Sequence, residues 1–305
     1  MQRIFYLGPH PDDIVFSCAG SVLADVASGH EVTLVSIFVS GEHAATRRAE
    51  DEQAAAALGC KYLSLDLFEA PDRPEISGSL GLFMPYGPPH LGITSEVVTR
   101  LGWHIGAGAH LVAPLAVGAH IDHRIVHESA RSLAFAQGLS LAYFEDLPYS
   151  LARYAVARRL AALETTVPTL PGTERASRSQ ELAGYRDYLC KLPLMKRWPP
   201  GLRAIGSHIA ARAVFAVDSQ GQRPGPRPRL TPKLRVVSAS LPARIQALRA
   251  YQSQWPLFAD SPETLLARLV GYGRSLGEPL PDTQTYERTW HDHSLVPGEE
   301  PPPTR

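Results

Sequence analysis

Two short clusters of histidine and aspartate contain the residue types that bind divalent metal ions. Residues 10–13 read His-Pro-Asp-Asp behind the apolar run 3–7, and residues 120–123 read His-Ile-Asp-His behind the apolar run 111–117. A catalytic zinc ion typically takes three protein ligands, from imidazole or carboxylate groups, and leaves one position for water. The two clusters offer enough ligands for one such ion, with further groups for proton transfer. The pattern therefore predicts a metal-dependent hydrolase.

The first cluster predicts two ligands and a base. If a strand ends near Gly8 and a helix begins near Asp13, His10 and Asp13 converge on one metal ion. Asp12 then points separately into the cleft, where it accepts a proton from water. The alternative is structural: Asp12 or Asp13 caps the helix, and His10 lies in a loop.

The second cluster predicts a third ligand and an electrostatic partner. His123 is the natural third ligand, and His120 is placed to polarise a carbonyl or to donate to an oxyanion. Asp122 either holds an imidazole through the second nitrogen of that ring or acts as the helix N-cap. His127 lies one turn beyond His123 and is interpreted as a helix-face residue. With both clusters, we expect a site for Zn²⁺, with another divalent metal as the alternative.

Further candidates follow other strands at the same expected edge. Arg47 either clamps a substrate hydroxyl or phosphate group, or belongs to a solvated helix start. In the second interpretation Glu50 and Asp51 only interact with the helix dipole, and the sequence favours neither. Asp146 and Tyr149 are expected to support a metal ligand or to contact the substrate.

Alternating strands and helices in the first half of the chain place these residues. The expected strands are 3–8, 31–39, 61–67, 111–116 and 140–144, and the expected helices are 13–28, 46–58, 94–106 and 124–137. This alternation is typical of an α/β fold with a Rossmann-like, doubly wound and mostly parallel sheet. Ligands of such sheets bind beyond the carboxyl ends of the strands, where both clusters fall.

The second half of the chain is less regular. A single domain is expected over 1–295, with a core at 1–150 and an irregular α+β elaboration at 151–295. The elaboration is expected to hold one strand within 204–217, another at 234–239, and helices at 244–255 and 262–274. Loops are expected at 75–92 and 220–233, and a disordered tail at 296–305. The His-Asp-His sequence at 291–293 has a spacing that suits a strand site, but its place beside the tail favours solvated surface.

Composition narrows the classes of partner and compartment. Thirty basic residues balance thirty acidic ones, so no global field favours nucleic acid. The three cysteines show no CxxC spacing and are interpreted as thiols of a reducing compartment. The N-terminus lacks the pattern of a signal peptide, and no stretch approaches the ~20 apolar residues of a membrane span. We therefore expect a cytoplasmic protein without a membrane span; its oligomeric state is not predicted.

The motifs together resemble the PIG-L/LmbE-like family of zinc-dependent N-acetylglucosaminyl deacetylases. The resemblance rests on Pro-His-Pro-Asp-Asp at 9–13, Arg-x-x-Glu at 47–50 and Gly-x-His-x-Asp-His at 118–123, with looser echoes at 145–149 and 250–254. It covers most of residues 1–260. It implies a Rossmann-like fold and zinc-dependent hydrolysis of an acetamido sugar.

Position by position, the resemblance implies roles for six side chains. His10, Asp13 and His123 would bind zinc, Asp12 would be the general base, His120 would stabilise the oxyanion, and Arg47 would contact the sugar conjugate. The sequence departs from the family at Ile14, where many members carry a glutamate that is not a ligand. The long segments at 75–92 and 220–233 look like additions around the mouth of the site, so the identity of the substrate does not transfer.

The preferred hypothesis is a zinc amidohydrolase that removes an N-acyl group from a small-molecule amino-sugar conjugate, with acetyl as the expected acyl group. Water attacks the amide carbonyl as Asp12 takes its proton. One alternative is a metal hydrolase that acts on another amide or an ester in a specialised pathway. Another is a non-catalytic relative that keeps the fold as a binding module.

Overall fold

The computed structural model describes residues 1–73, 90–165, 170–218, 227–239 and 242–295. Most of the expected loop at 75–92, residues 220–226 of the second expected loop and the whole expected tail at 296–305 lie outside the described residues.

A seven-stranded sheet occupies the centre of the protein, in the spatial order β3-β2-β1-β4-β5-β7-β6. The first five strands are parallel, and β7 runs antiparallel to both β5 and β6. The strands are β1 (Arg3–Gly8), β2 (Glu31–Phe38), β3 (Lys61–Leu67), β4 (His110–Pro114), β5 (Ser140–Phe144), β6 (Leu230–Ser238) and β7 (Gln284–Asp292). The predicted α/β fold with a mostly parallel sheet is confirmed.

Helices cover both faces of this sheet. They are α1 (Asp13–Ala27), α2 (Ala44–Leu58), α3 (Leu91–His104), α4 (Ile121–Gln137), α5 (Ala155–Ala162), α6 (Arg178–Lys191), α7 (Pro193–Lys196), α8 (Pro200–Asp218), α9 (Pro242–Ala250) and α10 (Pro262–Arg274). Neighbouring residues of β1 point to opposite sides: Phe5 and Leu7 pack in one apolar cluster, and Ile4 and Tyr6 in the other. A strand buried on both faces reads as a continuous apolar run, which is why β1 could be recognised. No helix among the described residues is long and apolar enough to cross a membrane.

Two predictions for the second half of the chain are wrong. The strand expected within 204–217 is the helix α8, in which Ala211, Val214 and Phe215 are buried. These three positions recur at helical spacing, and a short apolar run cannot by itself distinguish a strand from a buried helix. The strand expected at 234–239 begins earlier, at Leu230, so residues 230–233 are not loop.

A third prediction is also wrong, because the end of the strand β7 was expected to be solvated surface. It lies between β5 and β6, and its Asp292 is buried beside Tyr143 and Arg131. Solvated surface was expected because this segment lies beside the predicted tail. The charged residues of β7 are tolerated inside the protein because they are paired, as Arg288 is with the buried Glu145 at 2.5 Å.

A break in helix α1 makes β7 important for the packing of the first half. Cys18 has non-helical dihedral angles (φ −148°, ψ 27°), which interrupts the helical hydrogen-bond pattern. The carboxylate of Glu287 accepts the backbone N–H groups of Gly20 at 3.0 Å and Ser21 at 2.7 Å, and it pairs with Arg244 at 3.1 Å. The second half of α1 is thus capped by a side chain from the far end of the chain.

We predict that Glu287→Gln lowers the free energy of unfolding by about 2 kcal/mol, since the variant loses a buried charge-assisted hydrogen bond and leaves Arg244 uncompensated. Chemical denaturation measures the change. The matched control is Glu278→Gln at an exposed position, where we expect a change within about 0.5 kcal/mol. Equal effects of the two substitutions would contradict the capping role.

Candidate metal centre

The two predicted clusters meet at the carboxyl ends of adjacent strands. β1 ends at Gly8, two residues before the first cluster, and β4 ends at Pro114, six residues before the second. β1 pairs with β4 on one side and with β2 on the other, so the chain order reverses between β1 and β4. This reversal is the switch point at which ligands bind in doubly wound sheets.

Two imidazole nitrogens lie close to one carboxylate oxygen of Asp13. Its Oδ2 lies 3.5 Å from His10 Nδ1 and 3.5 Å from His123 Nε2. Ligand atoms at zinc distances of about 2.0–2.2 Å are about 3.3–3.6 Å apart on a tetrahedron, so these separations fit one ion. The Nε2 atom of His123 is buried and has no hydrogen-bond partner among the described residues. A buried imidazole nitrogen without a hydrogen-bond partner is typical of a metal ligand.

Each of the two imidazoles is oriented by a buried carboxylate on its other nitrogen. His10 Nε2 donates to Asp122 at 2.9 Å, and His123 Nδ1 donates to Asp146 at 2.7 Å. With the proton held there, the lone pairs of His10 Nδ1 and His123 Nε2 face Asp13. The carboxylates of Asp122 and Asp13 outweigh burial and raise the pKa of His10 to about 10. The site therefore favours a positive charge at His10, which either a proton or a metal ion on Nδ1 supplies.

The Asp122 carboxylate has partners that the sequence did not indicate. It accepts the backbone N–H of Ala70 at 3.0 Å and forms a buried ion pair with Arg73. Burial raises the pKa of Asp122, but the hydrogen bond from His10 and the neighbouring positive charges outweigh it and lower the pKa below its usual range. Ala70 and Arg73 follow β3 at the same edge of the sheet, which was the available signal for finding them.

His120 is arranged differently from the other two histidines of the cluster. It is the N-cap of α4, and its Nδ1 accepts the N–H of Asp122 at 3.2 Å, so Asp122 is not the N-cap. Burial lowers the pKa of His120 to about 3. A neutral ring that accepts at Nδ1 carries its proton on Nε2 and donates there. His10, His120 and His123 each bring a nitrogen within 4.8 Å of the others, but this tautomer makes His120 a donor.

The two adjacent aspartates have opposite electrostatic environments. Burial and the neighbouring Asp13 raise the pKa of Asp12 well above its usual range. Burial acts in the same direction on Asp13, but the nearby rings of His123 and His10 outweigh it and lower the pKa of that carboxyl. Asp13 is therefore held as an anion, while Asp12 has the stronger tendency to take up a proton.

Asp12 does not act as a helix cap. Asp12 occupies the N-cap position of α1, but its side chain makes no capping hydrogen bond. Its φ of 97° lies in the region that non-glycine residues avoid, at a cost of order 1–3 kcal/mol. The fold thus holds the Asp12 carboxylate in a strained conformation beside the candidate ligands.

Arg47 lies near this carboxylate and is not part of a solvated helix start. Its guanidinium pairs with Glu69 and is close enough to Asp12 to oppose the rise in that pKa. Glu50 and Asp51 are buried rather than exposed. Their partners explain the echo at 250–254: the hydroxyl of Ser253 donates to Glu50 at 2.6 Å, and that of Tyr251 donates to Asp51 at 2.7 Å.

Of the remaining candidate residues, Tyr149 contacts the metal centre and His127 lies in the protein core. The rings of Tyr149 and His123 meet edge to face with centroids 5.6 Å apart. Gly118, at φ 88°, lets Tyr149 approach, because a Cβ there would lie 3.1 Å from Tyr149 Cβ. His127 lies outside the cluster, as predicted: its Nδ1 donates to the Pro114 carbonyl at 2.9 Å, and its ring stacks on Tyr143.

Comparison with known proteins finds sequence similarity to one protein family and to one curated relative. Residues 5–134 match the PIG-L family, described as GlcNAc-PI de-N-acetylase. The 2'-N-acetylparomamine deacetylase of Streptomyces fradiae is 30% identical over 174 residues, which span 50% of this chain and 60% of that relative. The chain thus matches less than two thirds of the relative's length.

Two solved structures share the fold over nearly the whole chain. The deacetylase of the A40926 pseudoaglycone has 18% identity and a TM-score of 0.59, with coverage of 97% of this chain and 98% of the other. The zinc-inhibited form of teicoplanin deacetylase has 17% identity and a TM-score of 0.59, with coverage of 95% and 98%. At these identities the comparison establishes the fold.

We predict that Asp146→Asn weakens metal binding by about 10–100-fold. The carboxylate accepts both His123 Nδ1 and the backbone N–H of Val117. The amide offers one acceptor oxygen for these two donors, so His123 loses its fixed orientation. Competition with a chromophoric chelator measures the affinity. Asp282→Asn, at a fully exposed side chain, is the matched control, and a loss of similar size in both variants would refute the prediction.

Proposed function

We propose that the protein is a zinc-dependent deacetylase of an amino-sugar conjugate and a member of the PIG-L family, whose model residues 5–134 match. The matched relatives are deacetylases. The observation that carries the proposal is the convergence of His10 Nδ1 and His123 Nε2 on Asp13, with the strained Asp12 beside them.

We propose that His10, Asp13 and His123 hold the metal. Two imidazole nitrogens and one carboxylate are a ligand set of catalytic zinc sites. When bound there, the ion supplies a Lewis acid that polarises the amide carbonyl and acidifies water. A zinc-inhibited form of teicoplanin deacetylase is known. Activity assays of this protein should therefore add zinc from below one equivalent into excess.

Asp12 is the proposed general base. Its raised pKa suits a group that must take a proton from water and later give one up. Water that attacks the amide carbonyl loses its proton to Asp12. The protonated Asp12 then returns a proton to the departing amine, and the C–N bond breaks to leave acetate and a free amino sugar.

His120 is proposed to stabilise the oxyanion. Because its Nδ1 accepts a backbone N–H, its Nε2–H is available as a donor on the side of the cluster. A neutral donor adjusts little as negative charge develops on the carbonyl oxygen, which is the property that an oxyanion site needs. Arg47 is proposed to contact the sugar conjugate, and Asp122, Asp146 and Tyr149 to hold the imidazoles in place.

We also propose a domain organisation and a class of partner for the protein. We propose that residues 1–295 form one domain, which the shared sheet of β1–β5 with β6 and β7 supports. The proposed partner is a small-molecule amino-sugar conjugate, which the match to 2'-N-acetylparomamine deacetylase supports; the balanced net charge gives no reason to expect nucleic acid. A cytoplasmic location stays a prediction from the sequence.

We predict that Asp12→Asn lowers kcat by about 10²–10⁴-fold while metal content stays at the parental value. The assay measures free amine released from N-acetyl amino sugars, including N-acetylparomamine, with Asp282→Asn as the matched control. Full activity of Asp12→Asn would refute the base assignment. Hydrolysis of phosphoesters without any release of amine would instead favour the alternative bond, and failure to bind metal would favour a non-catalytic relative.

We also predict that Arg47→Gln raises KM by roughly tenfold, equivalent to about 1.4 kcal/mol of lost binding, with a smaller effect on kcat. Steady-state kinetics on the best acetamido-sugar substrate gives both constants. Arg48→Gln is the control, since Arg48 is the neighbouring arginine and pairs with Asp66 at the surface. An unchanged KM in Arg47→Gln would contradict the contact with the sugar conjugate.

A further inference from the structure

A second polar cavity lies on the sheet, away from the metal centre. Its volume is about 310 Å³, at the lower end of the range for small-molecule sites. Ile4, near the beginning of β1, and His110, the first residue of β4, line it. It therefore lies toward the amino ends of the parallel strands, whereas the metal centre is at their carboxyl ends.

One wall of this cavity is a face of the sheet, and helix α1 contributes Ser21 and Asp25 to the rest of the lining. Ala142 of β5 is paired with His291 of β7, and Thr289 of β7 is paired with Lys233 of β6. All of these residues border the cavity. A sheet face that packs on a helix is usually apolar, and this face is apolar at Ile4 of β1. Over β7 and β6 the lining is polar and basic instead.

The one carboxylate of the lining is already engaged. Asp25 pairs with Arg235 at 2.6 Å and accepts the hydroxyl of Tyr6 at 2.6 Å. Lys233 is exposed at the rim and has no ion-pair partner among the described residues. The cavity therefore has an excess of positive charge with no acid left to neutralise it.

Two histidines add N–H donors to this positive charge. Their rings stack with centroids 6.2 Å apart and an interplanar angle of 19°. His110 Nδ1 contacts the Ser140 hydroxyl at 2.8 Å, and His291 Nε2 contacts the Thr289 hydroxyl at 3.2 Å. Within the described part of the chain, the other nitrogen of each ring makes no hydrogen bond.

The electrostatics agree with this geometry. Burial, then the neighbouring His110 and Lys233, lower the pKa of His291 to about 4. Burial also lowers the pKa of His110, with Lys233 acting in the same direction and Asp25 against it. Cationic groups here thus oppose one another, which is the condition that a bound anion would relieve.

We propose that this cavity binds a phosphate group, held by the ammonium of Lys233 and by the N–H groups of His110 and His291. Ammonium and imidazole N–H groups supply charge-assisted hydrogen bonds to phosphate oxygens. The cavity volume exceeds that of a phosphate ion alone, so a phosphate monoester of a small alcohol also fits. The site is separate from the metal centre and does not depend on the deacetylase proposal.

The test is a titration of the metal-loaded, full-length protein with inorganic phosphate, followed by ¹H–¹⁵N spectra of its histidine side chains. His110→Gln and His291→Gln assign the two resonances. Saturable shifts of both resonances are expected, with at least tenfold weaker binding in Lys233→Gln. Lys61→Gln, at an exposed lysine of β3 paired with Glu31, should bind as the parent does.

Phosphate also has affinity for metal ions, so the resonances that move decide the outcome. The proposal is overturned if only the resonances of His10, His120 and His123 shift, or if Lys233→Gln binds phosphate as tightly as Lys61→Gln. Lys233→Glu is a second variant on the same exposed position, and it should abolish the shifts. A parallel titration with glycerol 3-phosphate distinguishes the source: tighter binding than inorganic phosphate identifies an ester, and equal or weaker binding identifies the free ion.

Discussion

The metal centre depends on two buried carboxylates that each hold an imidazole. Asp122 and Asp146 are at most 1% exposed, and burial of an isolated charge costs several kcal/mol unless partners compensate it. Asp122, on α4, obtains them from His10 just after β1 and from Arg73 and the Ala70 N–H after β3. Three elements that are distant in the sequence are thereby fixed around one ring. The tautomer of His10, and so the direction of its lone pair, follows from that constraint.

This constraint also separates the roles of two neighbouring aspartates. Asp13 faces His10 and His123 and is kept anionic, whereas Asp12, at a backbone position with positive φ, has a raised pKa. Pairs of carboxyl groups whose surroundings move their pKa values apart are typical of acid–base sites. The strain at Asp12 can persist because packing on both sides of the strand–helix junction is already determined by the core.

The sequence predicted the part of the fold in which local pattern and burial agree. The apolar run of β1 and the helix stop at Gly59 are local signals, and the elements built on them were predicted within three residues. β7 could not be recognised, because Glu287 and Arg288 are neutralised only by residues far along the chain. Arg73 was missed for the same reason: its partner Asp122 is 49 residues away.

The ligand set is the central claim, and diffraction from crystals of the zinc-loaded protein at the zinc absorption edge tests it most directly. The anomalous map should show an ion within about 2.0–2.3 Å of His10 Nδ1, His123 Nε2 and a carboxylate oxygen of Asp13. His120 should lie outside the ligand shell. An ion held by all three histidines of the cluster, with Asp13 beyond bonding distance, would contradict the account.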